Sequence, residues 1–346
     1  MRLLEILQNL CPIPAPPGQE ADLRETIRVA LAAHAQFMEQ DRAGNLQAWI
    51  NVGRKPCLML DAHMDEVGVM IQSVEDNGCL RMVPMGGLEA KLLPGSKILL
   101  QSRQGQGITG LVGLAPPHVA KNQEQVTSWE DTWLDIGASS REEASATGVE
   151  TGTCGVLDAG QGMLGHDGFY ARNLDNRVGC ALLIWLMEQM ADQEINYSIC
   201  FNFSVAEEVG LRGATSAAFH IAPDMALVVE ATVGDTPGLA AGRNPSYMGK
   251  GSAITVMDGR QIVPWEMVKS LEAAATAAQV NSQRKRPPSG GTDGGAIAIS
   301  REGVPTAVLS VPVRYIHSPV SWLKISDLDA TAQLLKRWVL NFCPLL

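Results

Sequence analysis

The sequence predicts an α/β fold in which a sheet is covered by helices on both faces and is interrupted by a small all-β module. Short apolar runs alternate with segments of helical period along most of the 346 residues, which is typical of a mostly parallel sheet. From about Gly68 to Gly165, hairpin patterns and Gly- and Pro-rich turns replace the helical period. We therefore expect residues 1–67 and 166–346 to form one domain, with 68–165 as an inserted β-barrel-like domain.

The N-terminal elements are predicted to be two helices, a strand pair and a buried strand. The second helix begins near Gly18-Gln19-Glu20 and carries an apolar stripe from Leu23 to Leu31. Residues 37–50 have the pattern of a strand pair, and the apolar run at residues 57–60 leads into Asp61-Ala62-His63-Met64-Asp65. This run is typical of a buried strand with a loop at its carboxyl end.

The inserted module is predicted from two hairpin signals. Two strands are expected around the turn Asp76-Asn77-Gly78. Residues 97–101 and 108–114 flank Gly105-Gln106-Gly107 in the same way. The strands of a small all-β unit should therefore follow one another here.

After Asp175 the pattern returns to strands that alternate with helices. A helix is expected from Val178 onward. Strands are predicted at 199–206, 225–230 and 306–312, with further helices near 265–278 and 327–341. In such sheets, ligands bind outside the carboxyl ends of the strands.

Composition excludes some classes of partner. A net charge of -10 argues against binding to nucleic acids or anionic membranes, and Arg284-Lys285-Arg286 is too short to reverse this, so it is predicted to be a solvated loop. The seven cysteines have no paired short spacing, and Cys57, Cys180 and Cys200, which lie inside apolar runs, are expected to be buried thiols in a reducing compartment. Without an apolar stretch of about 18 residues, a cytoplasmic location without a membrane span is expected.

Potential metal ligands recur where the predicted strands end. Burying an unpaired carboxylate costs several kcal/mol, so carboxylates at the ends of buried strands are expected to bind a cation. Mixed imidazole and carboxylate ligands suit zinc, cobalt or manganese. These residues are His63 and Asp65, Asp175, the adjacent pair Glu207-Glu208, Glu230 and His317.

Each of these residues has a simpler interpretation when it is taken alone. Asp175 could be only a helix N-cap, and Glu230 could merely pair with an arginine. The other histidines, His34, His118, His166 and His220, are predicted to be ordinary solvated or hydrogen-bonded side chains. The joint occurrence of the candidate ligands, in order and at successive strand ends, favours a metal site.

Several motifs resemble those of a known family. They are His63-Met64-Asp65-Glu66-Val67-Gly68, Leu174-Asp175-Asn176-Arg177, Glu207-Glu208-Val209-Gly210-Leu211-Arg212-Gly213, Gly290-Gly291-Thr292-Asp293 and Arg314-Tyr315-Ile316-His317-Ser318. With these motifs, the sequence resembles the glutamyl-aminopeptidase and tetrahedral aminopeptidase family, metallopeptidase family forty-two, some of whose members are labelled endoglucanases. The resemblance runs from Pro17-Gly18-Gln19-Glu20 to the C-terminal helix.

The resemblance implies a phosphorylase/hydrolase-like mixed sheet and two divalent metal ions, mainly zinc or cobalt. By motif, His63, Asp175 and Glu230 would hold one metal, and Asp175, Glu208 and His317 would hold the other. Glu207 would be the general base, and Asp65 would orient His63. Glu230 stands where many members carry Asp. Family members also often form homo-oligomers, including tetrahedral dodecamers.

The predicted function is the hydrolysis of N-terminal residues from peptides. Two cations would lower the pKa of a shared water, and Glu207 would take its proton and pass it to the leaving amine. The alternatives are a dimetal deacylase or deblocking enzyme on N-acylated peptides, a glycoside hydrolase, and a catalytically silent regulatory protein. A glycoside hydrolase needs a carboxylate pair but no histidine ligands.

Overall fold

The structure is a computed structural model that describes residues 2–102, 105–115, 127–191, 193–240, 242–286 and 290–342. His118 and Cys343 lie outside these ranges. The helices within them are α1 (Arg2–Leu10), α2 (Ala21–Leu31), α3 (Arg141–Ala146), α4 (Leu174–Met190), α5 (Arg212–Ile221), α6 (Trp265–Ala278), α7 (Asp293–Ala298) and α8 (Ile325–Leu340).

Within the described residues, nine strands lie before residue 160 and eight lie after it. Before it lie β1 (Phe37–Gln40), β2 (Leu46–Ile50), β3 (Cys57–His63), β4 (Gly68–Val74), β5 (Leu80–Met85), β6 (Lys97–Gln101), β7 (Gly107–Leu114), β8 (Thr132–Asp135) and β9 (Cys154–Leu157). After it lie β10 (Gln161–Leu164), β11 (Gly168–Ala171), β12 (Ser198–Ser204), β13 (Met225–Val233), β14 (Ser252–Thr255), β15 (Ser282–Lys285), β16 (Thr306–Arg314) and β17 (Ser321–Lys324).

The large sheet is mixed, with a parallel centre and antiparallel flanks. Its strand order is β1-β2-β12-β3-β13-β16-β17-β11-β10, with β14 on β16 and β15 on β14. The neighbours β12, β3, β13 and β16 run parallel to one another. Their carboxyl ends therefore meet at one edge, where the sequence places the candidate ligands.

Helices cover both faces of this sheet because successive strand residues point to opposite sides. In β3, Leu58 and Leu60 face the core beneath α1, α2, α4, α6 and α8, whereas Met59 faces α5 and α7. In β13, Leu227 faces the same core as Leu58 and Leu60, and Val228 faces the same core as Met59. The predicted mixed α/β fold is confirmed.

A second set of strands forms a closed barrel in the order β4-β5-β8-β7-β6-β9. Side chains that include Val69, Ile71, Leu80 and Ile98 fill its own apolar core. The barrel strands run from Gly68 to Leu157, whereas β10 pairs with β11 of the large sheet although it falls within the range 68–165.

The predicted end of β13 at Glu230 is wrong. The strand continues to Val233 because residues Ala231 to Val233 remain paired with β16. Its pairing with β3 stops earlier, at Val228, so one side of Glu230 is free of that neighbour. Within the described ranges, no helix is long and apolar enough to cross a membrane.

Candidate metal centre

The candidate ligands come from neighbouring strands at the carboxyl edge of the sheet. His63 is the last residue of β3, and His317 follows β16 after Arg314. Glu207 and Glu208 follow β12, which ends at Ser204. Of the strands that precede these residues, β12 runs parallel to β3, and both β3 and β16 run parallel to β13. This topology brings side chains that are distant in sequence into one cavity.

The loop after β12 turns both adjacent glutamates toward the same space. On a continuing strand, Glu207 and Glu208 would point to opposite faces. Instead, Ala206 adopts a left-handed φ of 53°, and the N–H groups of Gly210 and Leu211 both donate to the carbonyl of Glu207 at 2.9 Å. Both glutamates line a cavity of about 460 Å³. A turn after β12 therefore directs both side chains into the cavity.

The Asp65 carboxylate anchors this loop. It is fully buried, and its two oxygens accept hydrogen bonds from the backbone N–H groups of Glu207 at 2.9 Å and Glu208 at 3.0 Å. The Nδ1 atom of His63 lies 3.1 Å from the backbone carbonyl of Asp65 but 3.5 Å from its carboxylate. The imidazole ring is thus oriented mainly by the Asp65 backbone, while the Asp65 side chain positions the two glutamates.

Asp175 lies between the two imidazoles. Its Oδ1 atom is 3.2 Å from Nε2 of His63, and its Oδ2 atom is 3.2 Å from Nε2 of His317. It is not the N-cap of α4, because Asn173 precedes the helix and Asp175 itself has a non-helical φ of -89° and ψ of 105°. The Asp175–Asn176 peptide bond is cis, and the Asn176 side chain donates to the carbonyl of Val229 at 2.9 Å.

Two further carboxylates complete the cluster around these imidazoles. The Oε1 atom of Glu230 is 3.3 Å from Nε2 of His63, and the Oε1 atom of Glu208 is 3.1 Å from Nε2 of His317. Groups whose ligand atoms lie within 4.8 Å of one another, and so could hold a metal, are His63 with Asp175 and Glu230, Asp175 with Glu208 and His317, and His63 with Glu207 and Glu208.

The carboxylates raise the pKa of both histidines in the metal-free protein. Burial lowers the pKa of His63, but the charges of Glu230 and Glu207 outweigh this and raise it well above its usual range. Burial also opposes protonation of His317, yet its hydrogen bonds with Asp175 and Glu208 raise the pKa to about 11. Protons on the two rings thus balance part of the negative charge of the cluster.

The glutamates of the cluster are harder to ionise than usual. Burial raises the pKa of Glu207 well above its normal range, and it raises the pKa of Glu230 to about 8 against the opposing charge of His63. Burial likewise raises the pKa of Glu208. Asp175 behaves differently, because its hydrogen bonds to His317 and His63 overcome burial and lower its pKa.

The donor set fits divalent cations that accept nitrogen and oxygen ligands. Buried carboxylates are costly unless they are paired, and in the described part of the chain the Oε2 atom of Glu230 is buried without a hydrogen-bond partner. A cation at either of the groups around Asp175 would satisfy such oxygens. The local chemistry is therefore suited to metal binding.

A buried ionic network supports the loops that carry these residues. Glu66 accepts hydrogen bonds from Arg177 at 2.9 Å and from Arg172 at 2.8 Å. The fully buried Arg177 also donates to the backbone carbonyls of Met64 and Ile13. This network ties the N-terminal segment to the loops that follow His63 and precede α4.

A layer of polar side chains beneath the centre was not predicted. Asn202 donates to Asp61 at 2.6 Å, and Ser204 donates to Asp293 at 2.6 Å. Burial raises the pKa of Asp61 to about 7 and that of Asp293 well above its usual range. The sequence signal was available, because Asp61 directly follows the apolar run of residues 57–60 and charged residues are seldom fully buried without partners.

The prediction that residues 284–286 form a solvated loop is wrong for Lys285. Residues Ser282–Lys285 form β15, and Lys285 is only 4% exposed and lines the cavity. The parallel pairing of Lys285 with Thr255 of β14 directs successive side chains to opposite sides. His34, His166 and His220 are not among the residues that line the cavity.

The barrel also reaches the centre, through the two glycines that follow β5. A Cβ atom at Gly87 would lie 2.6 Å from Nδ1 of His317, and one at Gly86 would lie 3.1 Å from Cβ of Glu208. Gly86 further has a left-handed φ of 87°. Only the absence of side chains allows the barrel to approach the two residues this closely.

A mixed sheet that brings imidazoles and carboxylates to one edge in this way is typical of metal-dependent peptidases. The sequence profile of the M42 glutamyl aminopeptidases matches residues 44–334, and the chain belongs to this family. The expected family is thereby confirmed. The protein is a peptide hydrolase of the aminopeptidase type.

Two relatives match almost the whole chain. Lysyl aminopeptidase of Pyrococcus furiosus is 33% identical over 346 residues, covering 99% of this chain and 98% of the relative. Glutamyl aminopeptidase of Lactococcus lactis subsp. cremoris is 30% identical over 335 residues, covering 94% and 93%. The relatives thus carry names for N-terminal residues of opposite charge.

Solved structures match the fold over the same extent. An aminopeptidase from the archaeon Desulfurococcus kamchatkensis has a TM-score of 0.93 at 32% identity and covers 99% of this chain and 95% of its own. The TET1 peptidase of Pyrococcus horikoshii, which can assemble into a tetrahedron or a large octahedral shell, has a TM-score of 0.87 at 30% identity, with 97% and 98% covered.

Proposed function

We propose that this aminopeptidase works with two divalent metal ions held side by side in the cavity. His63, Asp175 and Glu230 would hold one ion, and Asp175, Glu208 and His317 would hold the other. The position of Asp175 carries the proposal, since each of its carboxylate oxygens faces a different imidazole at 3.2 Å. Asp175 would therefore contribute ligand atoms to both ions, which would supply Lewis-acid chemistry for hydrolysis.

Glu207 is the proposed general base. When bound, the metals would polarise the scissile carbonyl and lower the pKa of the attacking water. Glu207 accepts the proton of this water and then delivers it to the departing amine. Burial raises the pKa of Glu207 and so strengthens it as the base in the first transfer. Asp65 holds the Glu207 backbone in place through the loop N–H groups.

We further propose zinc or cobalt as the metal, peptides as substrates and a cytoplasmic location. Imidazole and carboxylate ligands support zinc or cobalt. A homo-oligomer, with a tetrahedral dodecamer as one form, is supported by the assembly of the Pyrococcus horikoshii relative. Light scattering on the purified protein would measure its mass against the 37.0 kDa of one chain.

We also propose a catalytic domain that consists of residues 1–67 and 166–346 with an inserted β domain. The closed barrel supports the insertion. The pairing of β10 with β11 favours an end of the insert after β9, at residue 157, rather than at 165.

Hydrolysis of aminoacyl-p-nitroanilides tests the proposed function. Activity should be lost with a chelator and restored by Co²⁺ or Zn²⁺. Glu207→Gln should reduce kcat by about 10²–10⁴-fold while metal content stays at the parent level, because the base is removed but the ligands remain. Glu188→Gln, a change at the surface pair with Arg2, is the matched control and should leave kcat unchanged.

Other outcomes would point elsewhere. Loss of metal from Glu207→Gln would make Glu207 a ligand, which the grouping of its carboxylate with His63 and Glu208 permits geometrically. Turnover of N-acetylated substrates alone would indicate a deacylase. Metal-loaded protein that is inert on all aminoacyl substrates but cleaves oligosaccharides would contradict the proposal.

A further inference from the structure

The loop that carries His317 has an unusual backbone. This His317 loop, residues 315–320, connects β16 to β17, and both Tyr315 and His317 have left-handed φ angles, of 62° and 56°. Residues other than glycine rarely adopt this conformation, and they keep it only where the surrounding structure holds it. The His317 side chain is 32% exposed, whereas that of His63 is 2% exposed. The position of the His317 ring therefore depends more on its loop than on close packing.

Contacts within the loop do not fix where the loop lies on the sheet. The Ser318 hydroxyl is 2.6 Å from the carbonyl oxygen of Tyr315 and 2.8 Å from that of Val320. These three residues all belong to the His317 loop. The Ser318 side chain thus closes the turn on itself, and another group must join the turn to the rest of the protein.

Arg314 makes such a connection at the start of the loop. It is the last residue of β16, and its guanidinium carbon lies 5.2 Å from the ring centroid of Trp322, with which it pairs on β17. Its Nε atom donates to the backbone carbonyl of Asp235 at 2.6 Å, and Nη2 pairs with the Asp235 carboxylate. The aromatic ring and the two groups of Asp235 together hold the guanidinium plane in one orientation.

Asp235 belongs to the segment that follows β13, the strand of Glu230. The Asp235 carboxylate also accepts a hydrogen bond from the backbone N–H of Met248 at 2.9 Å, so it is held from a second side. Arg314 therefore joins the segments that leave β13 and β16. The first strand carries a ligand of one proposed metal group, Glu230, and the second leads to a ligand of the other, His317.

We propose that Arg314 is a positioning residue that holds the His317 loop so that Nε2 of His317 meets Asp175 and Glu208. This inference rests on the proposed function, because it concerns how one of the two proposed metal groups is held. Arg314 acts through the loop, since it is not among the described residues that line the cavity. Its replacement should weaken the metal group that contains His317 and spare the group that contains His63.

Titration of the metal-free protein with Zn²⁺ or Co²⁺ in a calorimeter tests this without turnover. The wild type should bind two ions. Arg314→Gln removes the charge and the guanidinium fork, so one ion should bind with wild-type affinity and the other about 10–100-fold more weakly. Arg314→Lys keeps the charge but lacks the planar fork, so the weakening should be smaller.

Arg284→Gln is the matched control. Arg284 also stacks on an indole, with 4.6 Å to the ring centroid of Trp265, and it pairs with the carboxylate of Glu272 at 2.6 Å. Both partners lie on α6, which carries no proposed metal ligand. The affinities for both ions should therefore stay at the wild-type values.

A double-mutant cycle separates an effect through His317 from a general loss of structure. In His317→Asn protein the ring is absent, so adding Arg314→Gln should change the affinity for the weaker ion by less than about twofold. If Arg314 only stabilised the fold, its replacement would act equally in both backgrounds. Asp235→Asn keeps the carbonyl contact and removes the ion pair, and it should show a smaller selective weakening even if Arg314→Gln does not fold.

The outcomes distinguish this inference from the proposed function. Wild-type affinity for both ions in folded Arg314→Gln, or in Asp235→Asn if the first variant does not fold, overturns the role of Arg314 and leaves the aminopeptidase assignment intact. Equal weakening of both ions, or a full effect of Arg314→Gln in the His317→Asn background, has the same consequence. A wild-type protein that binds fewer than two divalent ions instead contradicts the proposed two-metal function.

Discussion

Asp65 should affect the metal centre through the backbone of the loop that carries Glu207 and Glu208. In Asp65→Asn one oxygen can still accept a hydrogen bond, but the amide NH₂ group faces the second backbone N–H, so the loop shifts. We expect a 10–100-fold loss of metal affinity or activity, the size that is typical of residues behind a metal ligand. Metal titration and kcat on the same preparation measure both.

Asp327→Asn is the matched control for that change. The Asp327 carboxylate is also buried and accepts two backbone N–H groups, those of Gly249 and Gly251, but it does not line the cavity. Its substitution should cost stability without a loss of metal affinity. Equal effects of the two variants on metal affinity would mean that Asp65 has only a general structural role.

His63, Glu208, Glu230 and His317 could be predicted to meet because each follows or ends an apolar run, and parallel strands end at one edge. Asp175 instead lies at the start of α4, after an antiparallel strand, so this rule does not place it. The burial of Lys285 could not be predicted, because it depends on whether a basic tripeptide is a loop or an edge strand. That choice is made by pairing with β14, which is distant in sequence.

Protonation of the histidines makes metal binding depend on pH. The pKa of His317 is raised to about 11 from 6.5, so its pairing stabilises the metal-free fold fully below pH 6.5 and is lost as the pH rises toward 11. Because a metal requires the neutral ring, binding near pH 7 should release protons and strengthen as the pH rises. Titration calorimetry in two buffers of different ionisation enthalpy counts these protons. If metal binding released no protons, the pairing of a protonated His317 ring with the carboxylates would be contradicted.

At the scale of elements, the contact between the barrel and the centre had no signal in the sequence. The strands around Asp76-Asn77-Gly78 could be predicted because turn residues and alternation are local. That Gly86 and Gly87 would meet Glu208 and His317 depends on how a barrel rests on a sheet edge, and no local pattern encodes this.

Gly87→Ala should disturb His317. The new Cβ atom would fall 2.6 Å from Nδ1 of His317, so the ring must move from its position 3.2 Å from Asp175. We expect about one of the two proposed metals to be lost, together with a 10–100-fold fall in kcat. Metal analysis by mass spectrometry gives the stoichiometry.

Gly107→Ala provides the comparison within the same barrel. Its Cβ atom would meet only the Leu99 side chain at 3.4 Å, which is an ordinary contact. Metal content and kcat should stay at the parent level. A loss of metal in Gly107→Ala as well would indicate general disruption of the barrel.

For the whole molecule, the alternation of strands and helices predicted the fold class, whereas the flanks of the sheet escaped prediction. The antiparallel strands β17, β11 and β10 extend the sheet beyond its parallel centre. β10 and β11 are short and only partly apolar, so their patterns do not reveal which sheet they join.

Metal should also stabilise the entire fold. A metal that binds only the native state adds about 2.7 kcal/mol at a free concentration 100 times its Kd. Chelation should therefore lower the midpoint of thermal unfolding, and Zn²⁺ or Co²⁺ should restore it. Asp175→Asn, which weakens both proposed groups, should show a much smaller shift. An unchanged midpoint on chelation of the wild type would contradict this linkage.

The distribution of the ligands along the chain has a consequence for biosynthesis. His63, Asp175 and Glu230 all emerge from the ribosome before His317. A nascent chain can assemble the group of His63, Asp175 and Glu230 well before the group that needs His317. The proposed group that needs His317 can therefore form only after the chain through residue 317 has left the ribosome.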